Sequence, residues 1–167
     1  MKKQDNASPL PYAAIVAAPG FCLGLRCSED EITSIEYLPK AERGKAPDNA
    51  LAERAVRQLE RYLDDPEFRF SLSLAAAGTP FRERVRSALT GIPVGESRTY
   101  GELARQLHTA PRAVGGACGA NDIALVVPCH RVVGSQGSLG GFMHAVDGDP
   151  LAIKRWLLRH EGYRFGA

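Results

Sequence analysis

The sequence lacks any long hydrophobic run and any strong excess of charge of one sign. No apolar stretch approaches the roughly 20 residues that cross a bilayer, which argues against a membrane-spanning helix. The chain begins Met1-Lys2-Lys3, but the next residues are polar or proline, and the apolar stretch 13–18 is too short for a secretory signal. We therefore expect a cytoplasmic protein that does not act at a membrane.

Cysteine is scarce, with four residues in a chain of 167. Without secretion, the default state of a cysteine is a free thiol. Cys22 and Cys27 would also point to opposite faces of a β-strand, because side chains alternate along a strand. We expect no disulfide framework.

The net charge of +2 says little about partners, but its distribution along the chain says more. Residues 1–78 hold 10 Lys or Arg against 12 Asp or Glu, whereas residues 79–167 hold 11 against 7. The basic second half is a mild indication of nucleic-acid binding, since phosphate contacts supply most non-specific affinity. An Arg-rich surface without a ligand explains it equally well.

The first half predicts a small α/β domain over residues 1–77. Three β-like segments separated by turn signals predict an antiparallel meander: Tyr12–Ala17, Cys22–Arg26 and Ile32–Tyr37. A helix is predicted at Ala50–Leu63, with its apolar face formed by Leu51, Val56, Leu59 and Leu63. The polar linker 40–49 lies between the strands and the helix.

The second half, residues 78–167, is predicted to be mostly helical. Thr79 is a suitable N-cap before Pro80, and Gly91 ends that helix. Two short helices, Thr99–Leu107 and Pro111–Ala120, form a candidate helix-turn-helix. Taken alone this is a weak indication of DNA binding, because helical hairpins are common.

The helix Pro111–Ala120 is unusually rich in glycine and alanine, and each interior glycine costs a helix about 1 kcal/mol relative to alanine. Close packing against a neighbouring helix is one explanation. The other is that this helix enters a narrow space such as the DNA minor groove, which is about 6 Å wide. Arg112 would then be the one long side chain that faces the duplex.

An apolar run, Ile123–Val127, predicts one buried strand that ends at Pro128 and is followed by Cys129-His130-Arg131. Cationic neighbours favour the thiolate form of cysteine, although a purely structural cysteine is the alternative. Neighbouring side chains seldom face each other. A proton relay from Cys129 to His130 would therefore need a bridging water.

The last helix is predicted to have Asp149 as its cap and Pro150 as its first residue. Its apolar stripe is predicted to be Leu151, Ile153, Trp156 and Leu157. Glu161, in the last turn, opposes the helix macrodipole, and local rules are most often broken at functional sites. Either Glu161 orients His130 or it lies at a solvated helix end.

Several of these motifs together resemble one family. Pro128–Val133, preceded by Arg112–Ala117 and Asn121, is similar to the signature of the O6-alkylguanine-DNA alkyltransferases. Trp156–Gly162 resembles the C-terminal helix of that family. The resemblance is dense over residues 79–167 and loose before them. It implies an α+β fold with an N-terminal ribonuclease-H-like α/β part and a C-terminal, mostly helical part that contains a winged helix-turn-helix.

The resemblance also implies roles for individual residues. Cys129 corresponds to the nucleophile, His130 to a water-bridged base and Glu161 to the carboxylate that orients it. Asn121 corresponds to an asparagine that braces the turn between the DNA-binding helix and the active site.

The resemblance further implies DNA-contact residues and a substrate pocket. Arg112 corresponds to the arginine that fills the gap left by a flipped nucleotide, and Tyr100 to a tyrosine beside the target phosphate and base. The remaining DNA-contact positions are Arg82 and Ser135, and the pocket positions are Val132, Phe142 and Met143. The connection Phe142–Asp149 is longer than is usual in the family, so it is either a tolerated insertion or a wall of the alkyl pocket.

The implied activity is single-turnover repair of double-stranded DNA. A thiolate cannot reach an O6-alkyl carbon inside a stacked duplex, so the base must be flipped out from the minor-groove side. We expect a monomer with no cofactor, and no metal, because no cysteine precedes Cys22 to complete the zinc site of some family members. The alternatives are a non-catalytic damage binder or regulator, which Cys129 disfavours, and a Cys-His hydrolase of small molecules.

Overall fold

A three-stranded antiparallel sheet forms the first layer of the computed structural model, which describes residues 11–140 and 150–165. The strands follow one another as β1 (Ala14–Ala18), β2 (Phe21–Cys27) and β3 (Ile32–Pro39). The predicted meander is therefore confirmed. In the central strand, a Cβ atom at Gly24 would lie 2.6 Å from the Tyr12 ring, so only glycine fits there.

Helix α1 (Ala50–Asp64) covers this sheet, and the Asn49 side chain caps it by accepting from the amide of Ala52 at 2.8 Å. Its position is as predicted, but its buried face is not. The buried residues are Ala52, Ala55, Leu59 and Tyr62. Small alanines let the helix approach the sheet, so the larger apolar residues Leu51, Val56 and Leu63 lie at the edges of the contact and are only partly buried.

The second half contains four further helices among the described residues. They are α2 (Pro80–Thr90), α3 (Tyr100–Gln106), α4 (Pro111–Gly119) and α5 (Pro150–His160). Thr79 caps α2 as predicted, and Thr99 with Glu102 forms a capping box at α3. Two short parallel strands, β4 (Arg98–Thr99) and β5 (Val132–Val133), pair beside them. The molecule is thus a mixed α+β fold.

The predicted strand Ile123–Val127 is wrong. This segment is buried apart from Val126, but it folds as turns in which Val127 donates to the carbonyl of Ile123 at 3.1 Å. Leu125 has a φ of 72°, which no regular strand allows. One bridge joins the segment to the sheet, because the Ile35 carbonyl accepts from Ala124 at 3.0 Å. An apolar run predicts burial, but a strand also needs a partner along its length.

Helix α5 also buries a face that differs from the predicted stripe. The residues fully buried are Lys154, Leu157 and Leu158, whereas Leu151 is exposed. The aromatic ring of Trp156 packs edge-on against Phe21 of β2, with centroids 5.6 Å apart. The proposed cap Asp149 lies outside the described residues.

Contacts such as that between Phe21 and Trp156 join the two halves of the chain across the predicted boundary between residues 77 and 78. One hydrophobic core includes side chains from both halves. The division into two domains therefore stays a prediction. Within the described ranges, no helix is long and apolar enough to cross a membrane.

Candidate active site

Cys129 begins a short 3-10 helix, Cys129–Arg131, directly after the buried turns. Asn121 holds these turns in place: its amide nitrogen donates to the Val127 carbonyl at 3.0 Å, and its amide oxygen accepts from Ile123 at 3.1 Å. Asn121 follows α4 almost immediately, so one side chain connects the end of that helix to the segment before the cysteine. These two hydrogen bonds support the predicted role of Asn121 as a brace, which stays a prediction.

The thiol of Cys129 lies in a largely buried environment. Burial raises the pKa of the thiol, whereas a hydrogen bond from Asn121 and the positive charge of Lys154 lower it and only partly compensate. Cationic neighbours were predicted from His130 and Arg131. The charge that acts on the thiol comes instead from α5.

A buried carboxylate organises the other side of the site. Glu161 accepts four hydrogen bonds, two from the Arg131 guanidinium at 2.8 and 3.0 Å, one from the Tyr62 hydroxyl at 2.7 Å and one shared with His130 Nε2 at 2.9 Å. Burial alone would raise the pKa of Glu161, but the hydrogen bonds and charges of His130 and Arg131 outweigh it and hold the pKa at about 2. The alternative of a solvated helix end is therefore wrong, and the hypothesis that Glu161 orients His130 stays a prediction.

This contact fixes which nitrogen of His130 carries the proton. Burial lowers the pKa of His130, with Glu161 acting in the opposite direction, so the neutral ring is favoured. An ionised carboxylate only accepts hydrogen bonds, so Nε2 carries the hydrogen that Glu161 binds. Nδ1 is then the basic nitrogen, and it has no hydrogen-bond partner among the described residues. A fully buried base with a bare lone pair is suited to take a proton.

Lys154 is a fully buried cation that sequence reasoning missed. Its ammonium group donates to the carbonyls of Val132 and Leu139, each at 2.6 Å. Burial lowers its pKa to about 8, although the nearby thiols of Cys129 and Cys118 oppose this effect. Lys154 therefore anchors the segment that follows the 3-10 helix and also acts on the Cys129 thiol through its charge.

Tyr100 also lies near the thiol, at the first position of α3. Burial and the neighbouring thiols Cys118 and Cys129 raise the pKa of its hydroxyl to about 12, so it stays protonated at neutral pH. Gly140 has a φ of 70°, and its Cβ would lie 3.0 Å from the Tyr100 ring. The close approach of the backbone leaves room only for glycine beside this tyrosine.

The remaining predicted DNA-contact residues lie at the surface. Arg112 is exposed in the first turn of α4, Arg82 is exposed on α2, and Ser135 is exposed in a second 3-10 helix, Ser135–Gly137. Val132, predicted to line the substrate pocket, is fully buried. Phe142 and Met143 lie outside the described residues.

The glycines of α4 distinguish between the two explanations for its composition. A Cβ atom at Gly116 would meet nothing within 4 Å, and one at Gly115 would only touch the Tyr100 ring at 4.0 Å. Packing against a neighbouring helix therefore does not require glycine at either position. The small face of α4 is free to approach a ligand.

Three further residues of the network were not predicted to act there. Arg131 binds Glu161 and also donates to the Ile92 carbonyl at 2.6 Å, and Tyr62 contributes from α1, far away in the sequence. Lys154 carried the clearest signal, because it lies one turn before the apolar residues Leu157 and Leu158 on the same helix face. Tyr62 carried none beyond helical spacing with Leu59.

Comparisons with known proteins point to one family. The model of the 6-O-methylguanine DNA methyltransferase DNA-binding domain matches residues 80–163. The methylated-DNA–protein-cysteine methyltransferase of Methanosarcina acetivorans is 37% identical over 158 residues, covering 90% of this chain and 98% of the relative. That of Salmonella typhimurium is 52% identical over 95 residues, covering 56% of this chain and 53% of the relative.

A comparison of folds leads to the same family. A crystal structure of Mycobacterium tuberculosis OGT in complex with DNA is similar with a TM-score of 0.74 and 39% sequence identity. The similarity covers 88% of this chain and 90% of that one.

Replacement of Glu161 by Gln should remove a pH-dependent part of the stability. Because the folded-state pKa is about 2 and the ordinary value is 4.5, the contribution of this carboxylate is complete above pH 4.5 and is lost as the pH falls towards 2. At pH 3 the parent should have lost about 2 kcal/mol of this contribution, measured by urea unfolding at pH 7 and pH 3. Glu53→Gln, which removes an exposed carboxylate paired with Arg57, is the matched control. An equal pH dependence in all three proteins would contradict the prediction.

Replacement of Lys154 by Met should raise the pKa of the Cys129 thiol, because the positive charge that stabilises the thiolate is gone. The pH profile of iodoacetamide labelling at Cys129, followed by mass spectrometry, should move to higher pH. Stability should fall by about 3 kcal/mol, since two buried carbonyls lose their donor. Lys45→Met, at an exposed lysine next to β1, should change neither result. An unmoved labelling profile in a folded Lys154→Met variant would rule out the electrostatic role.

Proposed function

Because this chain belongs to the O6-methylguanine-DNA methyltransferase family, we propose that Cys129 is the cysteine that receives the alkyl group. The chain repairs DNA by transferring an alkyl group from O6-alkylguanine to a cysteine of the protein itself. Four cysteines are available in the sequence. The assignment to Cys129 rests on one observation: this thiol directly precedes a neutral, buried histidine that a carboxylate orients through Nε2.

The proton of the thiol leaves through His130. Nδ1 of the ring is the basic nitrogen, because Glu161 binds the hydrogen on Nε2. Adjacent residues rarely make a direct hydrogen bond, so a bridging water carries the proton from the Cys129 thiol to Nδ1. Arg131 keeps Glu161 ionised, so Glu161 continues to accept the hydrogen on Nε2 and the proton of the thiol is taken up at Nδ1.

The thiolate then attacks the alkyl carbon of the damaged base. A carbon–sulfur bond forms at Cys129 while the bond between that carbon and O6 breaks, and guanine leaves with the electron pair and takes up a proton. The reaction needs no cofactor to balance. The product is a thioether, which is stable, so each protein molecule acts once.

Helices α3 and α4 provide the proposed DNA-binding element of a winged helix-turn-helix. They pack against each other, and the capping box at Thr99 fixes the start of α3. The open space around Gly116 supports insertion of α4 into the minor groove, with Arg112 filling the stack left by the flipped nucleotide. Tyr100 would contact the flipped base, and Arg82 and Ser135 the DNA on either side.

The N-terminal layer is proposed to be ribonuclease-H-like. Three successive antiparallel strands and a helix across the sheet support this comparison. A monomeric state and residence in the cytoplasm stay predictions. A non-catalytic damage binder is not favoured, since it would have no use for the Cys129–His130–Glu161 arrangement.

Methylated duplex should transfer exactly one methyl group to each protein molecule, at Cys129. Peptide mapping after reaction with excess O6-methylguanine duplex measures both the number and the position of the groups. Cys118→Ser should react like the parent, and Cys129→Ser should not react. A methyl group on Cys118, or more than one guanine repaired per protein molecule, would contradict the proposal.

Replacement of Arg112 by Ala should slow repair of duplex DNA more than reaction with free O6-benzylguanine, because the free base needs no extrusion. Unstacking costs a few kcal/mol, so we expect on the order of a tenfold change in the ratio of the two rates. Single-turnover rates at saturating DNA separate this effect from weaker binding. Arg105→Ala removes the same charge from α3 and should leave the ratio unchanged. Equal losses on both substrates would exclude a role in flipping.

A further inference from the structure

Tyr62 binds two successive residues of the C-terminal segment. Its hydroxyl donates to Oε2 of Glu161 at 2.7 Å, and its backbone carbonyl lies 2.7 Å from Nε2 of His160. The residue before the carboxylate and the carboxylate itself are thus held by one residue of α1. Nothing in the chemistry described so far requires this contact.

The ring of Tyr62 also packs against two other rings. Phe70 lies against it with centroids 5.7 Å apart, and His160 meets it edge-on at 5.2 Å. His160 in turn stacks on Trp156, with centroids 4.7 Å apart and planes inclined by 14°. With 2% of its surface exposed, the side chain has no room to turn its hydroxyl elsewhere.

The hydroxyl reaches the oxygen that matters for the base. Oε2 is the atom of Glu161 that binds His130 Nε2, and it also accepts from Nη2 of Arg131 at 3.0 Å, whereas Oε1 accepts from Nε of Arg131. The Tyr62 hydroxyl therefore helps to fix the position of Oε2 and takes up part of the negative charge that acts on the imidazole.

We propose that Tyr62 is a positioning residue for alkyl transfer, which holds Oε2 of Glu161 so that His130 keeps its hydrogen on Nε2 and its lone pair on Nδ1. The proposal rests on the proposed function of Cys129 and His130. It assigns part of the acid–base arrangement to the N-terminal half, outside residues 80–163 that the family's DNA-binding domain covers. The DNA-binding domain is then incomplete as a reactive unit without α1.

The direction of the expected pH effect follows from charge. Without the hydroxyl, the negative charge of Oε2 acts more strongly on His130 and stabilises its protonated form, so its pKa rises. Alkyl transfer needs the neutral ring, and its rate should therefore begin to fall at a higher pH than in the parent. The other charged or titratable groups that face this pair are unchanged by the substitution, namely Arg131, Lys154, Cys129, Tyr37 and His160.

The test compares Tyr62→Phe with Tyr12→Phe in the full chain. Tyr12 also donates a hydroxyl to a glutamate, Glu36 on β3 at 2.6 Å, in a partly buried pair that includes neither Glu161 nor His130. Single-turnover rates of benzyl transfer from free O6-benzylguanine are measured across pH, with melting curves and affinity for undamaged duplex DNA as companion measurements. Free benzylguanine removes flipping from the rate.

Tyr62→Phe should lower the maximal rate on the order of tenfold and move the acidic limb to higher pH, with DNA affinity unchanged. Tyr12→Phe should keep the parent's rate and pH profile. A parent-like rate and acidic limb in Tyr62→Phe would overturn the proposal. The proposal would also be overturned if the rate of Tyr62→Phe fell only in proportion to its folded fraction, or if Tyr12→Phe showed the same shift of the acidic limb. Peptide mapping of the parent distinguishes a failure of the Tyr62 proposal from a failure of the proposed function. If the benzyl group were absent from Cys129, the proposed function itself would be refuted.

Discussion

A buried carboxylate that must keep its negative charge constrains the rest of the molecule. Glu161 is 6% exposed, and removal of a charge from water costs several kcal/mol per ion unless donors replace the lost water. Those donors belong to α1 and to the 3-10 helix, while the carboxylate itself directly follows α5. Three segments far apart in the sequence must therefore be in position together. The joining of the two halves of the fold and the chemistry of the site depend on the same hydrogen bonds.

The site keeps some groups buried away from water and leaves others exposed, where DNA can reach them. His130 and Lys154 are fully buried, whereas Arg112 is exposed at the start of α4. Asn121 lies between these regions and connects the end of α4 to the backbone before Cys129. In the proposed mechanism, Asn121 thereby attaches the DNA-binding helix rigidly to the segment that carries the reacting thiol. A flipped base would then meet a thiol whose place relative to the DNA is already fixed, as efficient transfer between two oriented groups requires.

Sequence reasoning succeeded where one local rule determines the structure and failed where distant partners do. The cap at Thr79 and the start of α4 at Pro111 follow from local chemistry, and the Cys129 motif was identified by its neighbours. The apolar run Ile123–Val127 was predicted correctly as largely buried and wrongly as a strand, since hydrophobicity does not specify a hydrogen-bond partner. Lys154 is the single lysine in a second half whose other Lys or Arg residues are all arginine. Composition therefore singles it out, but the buried face of the last helix was predicted from the spacing of apolar residues alone.

The raised pKa of the Cys129 thiol is at first sight a disadvantage for a nucleophile. A protein that acts once, however, loses its function whenever the thiolate meets an adventitious oxidant or electrophile. Burial that keeps the resting thiol protonated limits this loss, while Lys154 and Asn121 keep the thiolate within reach. The base is likewise held neutral, with Nδ1 ready for a proton. Low resting reactivity and fast transfer are compatible here, because an alkyl carbon held in line with the thiol reacts at a much higher effective concentration than free substrate. The gain in rate from this orientation exceeds the gain that ionisation of the thiol alone would give.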